Sequence, residues 1–468
     1  VDNDRFATLS LLISDGRSKA LIPAGEGPEA AERVDVSNRL IMPGLVNGHT
    51  HSHGALGRGG VPDDLPLEAF LSGAAWLNGA RQQDDLYLSA QLSAVELIRK
   101  GCTACFDMFV ELPGPTVGGI HSVAQAYHDV GMRAVVAPMI ADQTIYQALP
   151  GLIDTFDPPL RDAVAALTLP AWQTIMATCA DAFGSWPVPN DRVRPGIGPT
   201  IPLHCSDPFL QACAALSHQG GIPLQTHLAE TRLQQVMAAQ KFGTSLTEHL
   251  GRLGVLNSQF SGAHGVWLSK PEADLLAQHD ACICHNPLSN LRLGSGVAPV
   301  RMLADAGVTM GVGTDASNTS DGQNMFEAMR LAATLSRAQT SDPAQWISTR
   351  AALKMATEGS ARILGLDRVG KISAGWAADL VFLDAGYCHY TPLRTPLDQI
   401  VLAENGAALR ANDRILTLDE NALVARARTV VERLDHANAE TRLMNEAAAL
   451  VVQSFCRGNC DGYATRLA

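Results

Sequence analysis

Between residues 44 and 365 short apolar or β-branched runs alternate with longer segments whose apolar residues recur at three and four, and nothing else constrains the fold as strongly. Eight such runs occur: "LIMPGLVNGHTH", "TACFDMFV", "RAVVAPMI", "VRPGIGPTIP", "PLQTHLAE", "FSGAHGVWL", "ACICHNP" and "TMGVGTD". Between them lie stretches such as "DDLYLSAQLSAVELIRKG" and "GQNMFEAMRLAATLSRA". Strands joined by helical crossovers pair in parallel, and eight strand and helix units predict an α/β fold, a TIM-like (β/α)8 barrel over residues 44–370.

Residues 1–43 and 371–418 carry strand-like pieces, "LSLLISDGR" and "AADLVFLD", between turn residues. Chain ends often lie close together, so these are expected to meet as a small β-sandwich accessory domain. Residues 419–468 read as a helical tail whose "AALVVQSFCRGNCDGYATRLA" runs from helix into irregular chain. The 141–192 segment is long for a barrel connection and carries Tyr146, Phe156, Trp172 and Trp186. Those rings could stack on a flat heterocycle, but packing the insertion onto the barrel is their expected role.

Ionisable residues gather at the C-terminal ends of the runs: His49, His51, Asp107, His227, Glu230, His264, His285 and Asp315. In a barrel those ends form the catalytic face. Side chains alternate along a strand, so His49 and His51 point the same way while Thr50 points away. A His-x-His pair alone is as often ordinary as metal-binding; His227, His264 and Asp315 on the same rim tip the balance. Three imidazoles and a carboxylate suit Zn²⁺ or Fe²⁺, whose Lewis acidity brings water toward a neutral pKa. Glu230, three residues after His227, could carry a proton beside such a site, although alone it would read as a helix-start glutamate.

Five stretches, "PGLVNGHTH", "THLAET", "AH" at 263–264, "HNPLSNLRLGSG" and "GVGTDASNTSD", in this order resemble the amidohydrolase superfamily. The branch they resemble most holds guanine, 8-oxoguanine and S-adenosylhomocysteine deaminases and triazine hydrolases, and the similarity runs from about residue 8 to 420. The resemblance implies that His49, His51, His227 and Asp315 bind one divalent metal, zinc before iron, and that His264 orients water and Glu230 shuttles protons. It also implies a homodimer. His53, past the rim, has a substrate-lining or structural role, and His285 either touches substrate or is buried against backbone. Asp107 is expected to be structural. Arg58 and Arg292 are loop cations that could clamp a polar substrate or simply face solvent.

Three departures from the family pattern matter. The fourth run has no lysine, where binuclear members place a bridging carboxylated lysine, so one metal is expected. Several deaminases of the branch carry a substrate-reading histidine just after a proline in this strand; here Pro199 and Thr200 stand there, and His204 follows four residues later. Near residue 410, "VLAENGAALR" passes into "ANDRILTLDE" without the strand the pattern expects, through a shortened accessory domain or a loop closed up in the numbering.

Lys plus Arg number 35 against 47 Asp plus Glu, a net charge of −12 that opposes binding to nucleic acid. No run of eighteen uncharged apolar residues could span a bilayer. The opening "VDNDRFATLS" lacks a secretory pattern, and a cytoplasmic location is expected. The ten cysteines form no disulfide framework or zinc ribbon, so buried reduced thiols are expected. The expected activity is deamination of an amino-substituted nitrogen heterocycle, a purine, pterin, pyrimidine or relative, by metal-activated water. Triazine-type hydrolysis expelling chloride or alkylamine is the alternative, and a non-catalytic scaffold the third. With few cations at the mouth, the small-molecule substrate is expected to be nearly neutral.

Overall fold

In the computed structural model, which describes residues 7–28, 32–409 and 415–460, all eight apolar runs carry parallel strands. Leu45–His51, Cys102–Phe109, Arg133–Ile140 and Val193–Pro195 are neighbours in that order, with Gly198–Pro199 extending the fourth along the third. Leu224–Leu228, Phe260–His264, Cys282–His285 and Thr309–Val312 form a second parallel sheet in that order. The sheets touch at two seams: Asp315–Ala316, just past the eighth strand, pairs with Thr50–His51, and Ile197 bridges to Leu224. Every residue of the first, fifth, sixth and seventh strands is buried, as in parallel sheets covered by helices.

The helices between strands begin and end where the sequence supplies caps. Thr116 accepts from the Gly119 amide at the start of Val117–Val130, and Gly131, at φ 87°, closes that helix in the left-handed region. Thr231 caps Arg232–Phe242 in the same way, fixing the turn that follows Glu230. In the long 141–192 insertion Tyr146 and Phe156 make an edge contact at 5.6 Å and Trp172 leans on Phe209. The Trp186 indole donates to the Val193 carbonyl, so these aromatics pack the insertion onto the strands.

The first apolar run is two strands. Arg39–Pro43 pairs antiparallel with Leu380–Asp384, and Leu45–His51 joins the parallel sheet. The break falls at Gly44, where a Cβ would lie 2.1 Å from Thr103 Oγ1, so only glycine lets the strands cross so closely. Leu9–Ser14 forms a hairpin with Arg17–Pro23, while Arg17 bridges to Ala377 and Leu383 to Leu409, bringing the two ends of the chain together. The junction at 410–414 and the irregular end after 460 lie outside the described residues.

Two helices, Glu420–Ala437 and Ala439–Cys460, fold back over Leu67–Ser72, Gln83–Arg99 and Arg232–Phe242. Arg433 pairs with Asp85 and Arg99 with Glu420, and the Asn438 amide donates to Gly79 O at 3.0 Å. Cys102, Cys105, Cys179, Cys205, Cys213, Cys282, Cys284 and Cys456 are buried thiols outside any disulfide. Among the described residues no helix is long and apolar enough to cross a membrane.

Candidate metal and catalytic site

The strand ends bring His49, His51, His227, His264, Glu230 and Asp315 into one buried cluster. Each imidazole is oriented by its second nitrogen. His51 Nδ1 donates to Met108 O at 2.6 Å and His227 Nδ1 to Thr200 O at 2.5 Å. A carbonyl can only accept, so in both neutral rings Nε2 carries the lone pair. Yet His51 Nε2 and His227 Nε2 lie 3.2 Å apart. Two lone pairs at that distance repel unless a proton or a cation sits between them. His49 repeats the pattern, its Nδ1 2.7 Å from Gln225 Oε1, while Gln225 Nε2 is held by Gly48 O and Ser261 Oγ. His49 Nε2 is buried with no partner.

Asp315 faces these nitrogens. Its Oδ1 lies 3.2 Å from His51 Nε2 and 3.7 Å from His49 Nε2, and its Oδ2 lies 3.7 Å from His264 Nε2. Burial by itself would raise the Asp315 pKa, but the His51 hydrogen bond and the surrounding imidazoles hold it well below the usual carboxylate range. Burial pulls His49 and His264 down, and with the charges of His51 and His264 it takes His227 to about 3. Burial would lower the His51 pKa too, but the Asp315 hydrogen bond and charge and the Met108 carbonyl raise it. Without a cation His51 therefore shares a proton with Asp315, whereas the other imidazoles are held neutral, the state a divalent cation requires. His264 and Asp315 hold left-handed backbones, φ 76° and 63°, as does Ala229 beside Glu230, at φ 50°. Non-glycine residues in that region store strain, which concentrates at working sites.

Glu230 is 1% exposed, and neither carboxylate oxygen has a hydrogen-bond partner. Its Oε1 lies 3.5 Å from His264 Nδ1, which is itself 2.8 Å from Asn290 Oδ1. Burial first, then the charges of Asp315 and Glu68, push its pKa well above the ordinary value. An exposed helix-start glutamate does not fit this burial.

His53 is buried in the short turn Ser52–Gly57, with Nδ1 accepting from the Val110 amide and its ring 5.3 Å from that of His51. His285 is buried at the end of the seventh strand with Nδ1 unpartnered. His204 is buried on the turn Pro202–His204, where burial and then Lys241 take its pKa down to about 3. Arg58 pairs with Glu96 and Arg292 with Asp321, so both candidate cations are held by protein carboxylates. Asp107 accepts from the Ser52 amide at 2.8 Å and from the Tyr127 hydroxyl at 3.1 Å, holding the His53 turn against the second strand. Sequence reasoning passed over Gln225 and Asn290. Gln225 was within reach, since it alternates with His227 on one strand face.

The donor set therefore fits a divalent metal: inward-turned Nε2 atoms of His49, His51 and His227 around an ionised Asp315, where a cation would replace the proton His51 shares with that carboxylate. Comparison with known proteins agrees. The model of the amidohydrolase family matches residues 40–421. A 5′-deoxyadenosine deaminase of Methanothermobacter thermautotrophicus is 32% identical over 435 residues, covering 92% of this chain and 94% of the relative. A zinc-bound adenosine deaminase from Xanthomonas campestris superposes with a TM-score of 0.79 at 26% identity, over 92% of this chain and 94% of that one. A zinc complex of atrazine chlorohydrolase from Arthrobacter aurescens reaches 0.80 at 24% identity, over 91% and 96%. The chain belongs to the amidohydrolase family. Within it, this is a metal-dependent deaminase acting on a nitrogen heterocycle, on the TIM-like scaffold its neighbours imply.

Proposed function

We propose that the chain is a zinc-dependent aminohydrolase that replaces the exocyclic amine of an adenine-type nucleoside by oxygen and releases ammonia, with its eight strands closing into a barrel around the site. The seams at Asp315–Ala316 and Ile197 support closure, and the β pairs formed by both chain ends support an accessory domain over 1–43 and 371–418, with a helical tail beyond. The relatives supply the ring that the sequence left open, since the displaced His204 gave no reason to name a base.

One observation carries the chemistry: a buried glutamate with two bare oxygens beside inward-facing imidazoles. His49, His51, His227 and Asp315 would hold the cation, and a bound divalent metal supplies the Lewis acidity that makes water nucleophilic at neutral pH. Glu230, protonated through burial, gives its proton to the ring nitrogen next to the amine-bearing carbon. Asp315 takes the proton that the attacking water loses, and His264, fixed by Asn290, aligns that water. Asp315 then passes its proton to the departing amine while Glu230 recovers one from the newly formed hydroxyl, so that one water is consumed, one ammonia leaves and both carboxyls are reset.

The test is ammonia release by zinc-loaded protein across adenosine-type nucleosides with and without a 5′-hydroxyl, free bases, pterins, pyrimidines and triazines. The expected result is fastest release from a 5′-modified adenosine. Chloride from a chlorotriazine with no ammonia from any nucleoside would transfer the site to the triazine reading.

A further inference from the structure

The first strand meets the chain beyond the eighth through only two paired residues, Asp315 with Thr50 and Ala316 with His51. The imidazoles of His49 and His51 and the carboxylate of Asp315 are thus carried on two segments joined across a short seam. Asp315 also holds a left-handed backbone at φ 63°, which a non-glycine residue keeps only where its surroundings impose it. Here the surroundings act through buried side chains.

Gln323, in the loop before helix Met325–Gln339, is fully buried and donates Nε2 to Asp315 O at 2.8 Å. Its Oε1 lies 2.8 Å from Thr50 Oγ1 and 2.8 Å from Thr314 Oγ1. Thr314 Oγ1 is in turn 2.7 Å from Asn47 Nδ2, and Asn47 Oδ1 accepts the Thr314 amide at 3.1 Å. Donor counting orients these bonds. An amide nitrogen can only donate, so an Asn47 Nδ2 proton goes to Thr314 Oγ1, and the single Thr314 hydroxyl proton goes on to Gln323 Oε1. With its amide reversed, Gln323 would set Oε1 against the Asp315 carbonyl oxygen, two acceptors with no proton between them. Thr50 Oγ1 also stands 3.0 Å from Asp315 O and has one proton for two acceptors, whereas Gln323 Nε2 is committed to that carbonyl. One amide therefore joins both segments. It is braced from outside, since the Gln323 backbone amide donates to Glu96 Oε1 at 3.2 Å and Glu96 Oε2 pairs with Arg58.

We infer that Gln323 is a positioning residue: it ties the Thr50 hydroxyl, between His49 and His51, to the Asp315 carbonyl and so sets the approach of Asp315 to the two imidazoles. This rests on the metal site and not on which heterocycle is deaminated. Partners that orient metal ligands from behind are worth roughly 10- to 100-fold in metal affinity.

The experiment titrates zinc into metal-free protein against a chromophoric chelator, per folded molecule, for wild type, Gln323→Met, Thr50→Val and the double variant. Zinc should bind Gln323→Met more weakly by the factor above, and Thr50→Val should shift in the same direction. Both changes cut one network, so the double variant should lose no more than the weaker-binding single variant. The control Glu404→Gln, which loosens the fold at His389 and Tyr390 rather than at the cluster, should bind zinc as wild type does. At saturating zinc Gln323→Met should lose kcat with KM unchanged, because Asp315 also receives the proton of the attacking water. Wild-type zinc affinity in either folded single variant, losses that simply add in the double variant, or an equal loss in the control overturns the assignment. Should Gln323→Met not fold, Thr50→Val decides alone. Weakened zinc binding with no ammonia from any heterocycle leaves the tie standing and removes the deaminase reading; unchanged binding with ammonia released does the reverse.

Discussion

Of the four glutamates buried among the described residues, the two least exposed, Glu404 and Glu230, are buried in opposite ways. Glu404 is 0% exposed, yet its Oε1 accepts the amides of Asn405, Gly406 and Ala408, and its Oε2 accepts the Tyr390 hydroxyl and faces His389 Nε2. Glu230 is 1% exposed and has no donor on either oxygen. Burial alone would raise both pKa values. At Glu404 the hydrogen bonds reverse it and hold the carboxyl below its ordinary value; at Glu230 neighbouring carboxylates reinforce it. A carboxylate solvated by the protein holds structure together, whereas one left bare is ready to exchange a proton.

The comparison breaks first if the imidazole cluster is not a metal site. Chelation should reduce turnover to background, zinc should restore it, and the loaded protein should contain one divalent metal per chain by elemental analysis. Two metals about 3.5–4 Å apart by anomalous scattering would contradict the single site read from the lysine-free fourth strand. Next in size is Glu230→Gln, which keeps shape but cannot carry a proton. It should retain the metal while kcat falls on the order of 10²- to 10⁴-fold. Near-wild-type kcat would place Glu230 with Glu404 among the structural acids.

Period-two alternation and strand ends made the buried imidazole and carboxylate cluster legible in the sequence, because His49, His51, His227, His264 and Asp315 each lie at the C-terminal end of an apolar run. The eight runs were legible for the same reason, and the split of the first at Gly44 was not, since it depends on Thr103 from another strand. Side-chain partners are invisible to such reading. Nothing in "VLAENG" marks Glu404, because its donors come from the turn at His389 and Tyr390 and from the amides that curl back after it, contacts that only the folded backbone brings together. Arg58 and Arg292 were plausible clamps only while Glu96 and Asp321 were out of view.

The smallest expected effect sharpens the comparison from the Glu404 side. Glu404→Gln removes a charge that five donors surround, and should destabilise the fold by about 1.5–3 kcal/mol at pH 7 by urea denaturation, with kcat per folded molecule unchanged. The pH dependence supplies the check. The folded pKa of Glu404 lies below the ordinary 4.5, so the native state gives up this proton more readily than the unfolded chain. Its stabilisation is complete above the unfolded value and is lost as the pH falls through the folded one. The wild-type advantage over Glu404→Gln should therefore be largest at neutral pH and shrink as the solution is acidified below about 4.5. An advantage that stayed constant through that range would mean that packing around Tyr390, and not the ionised carboxylate, holds this end of the chain together.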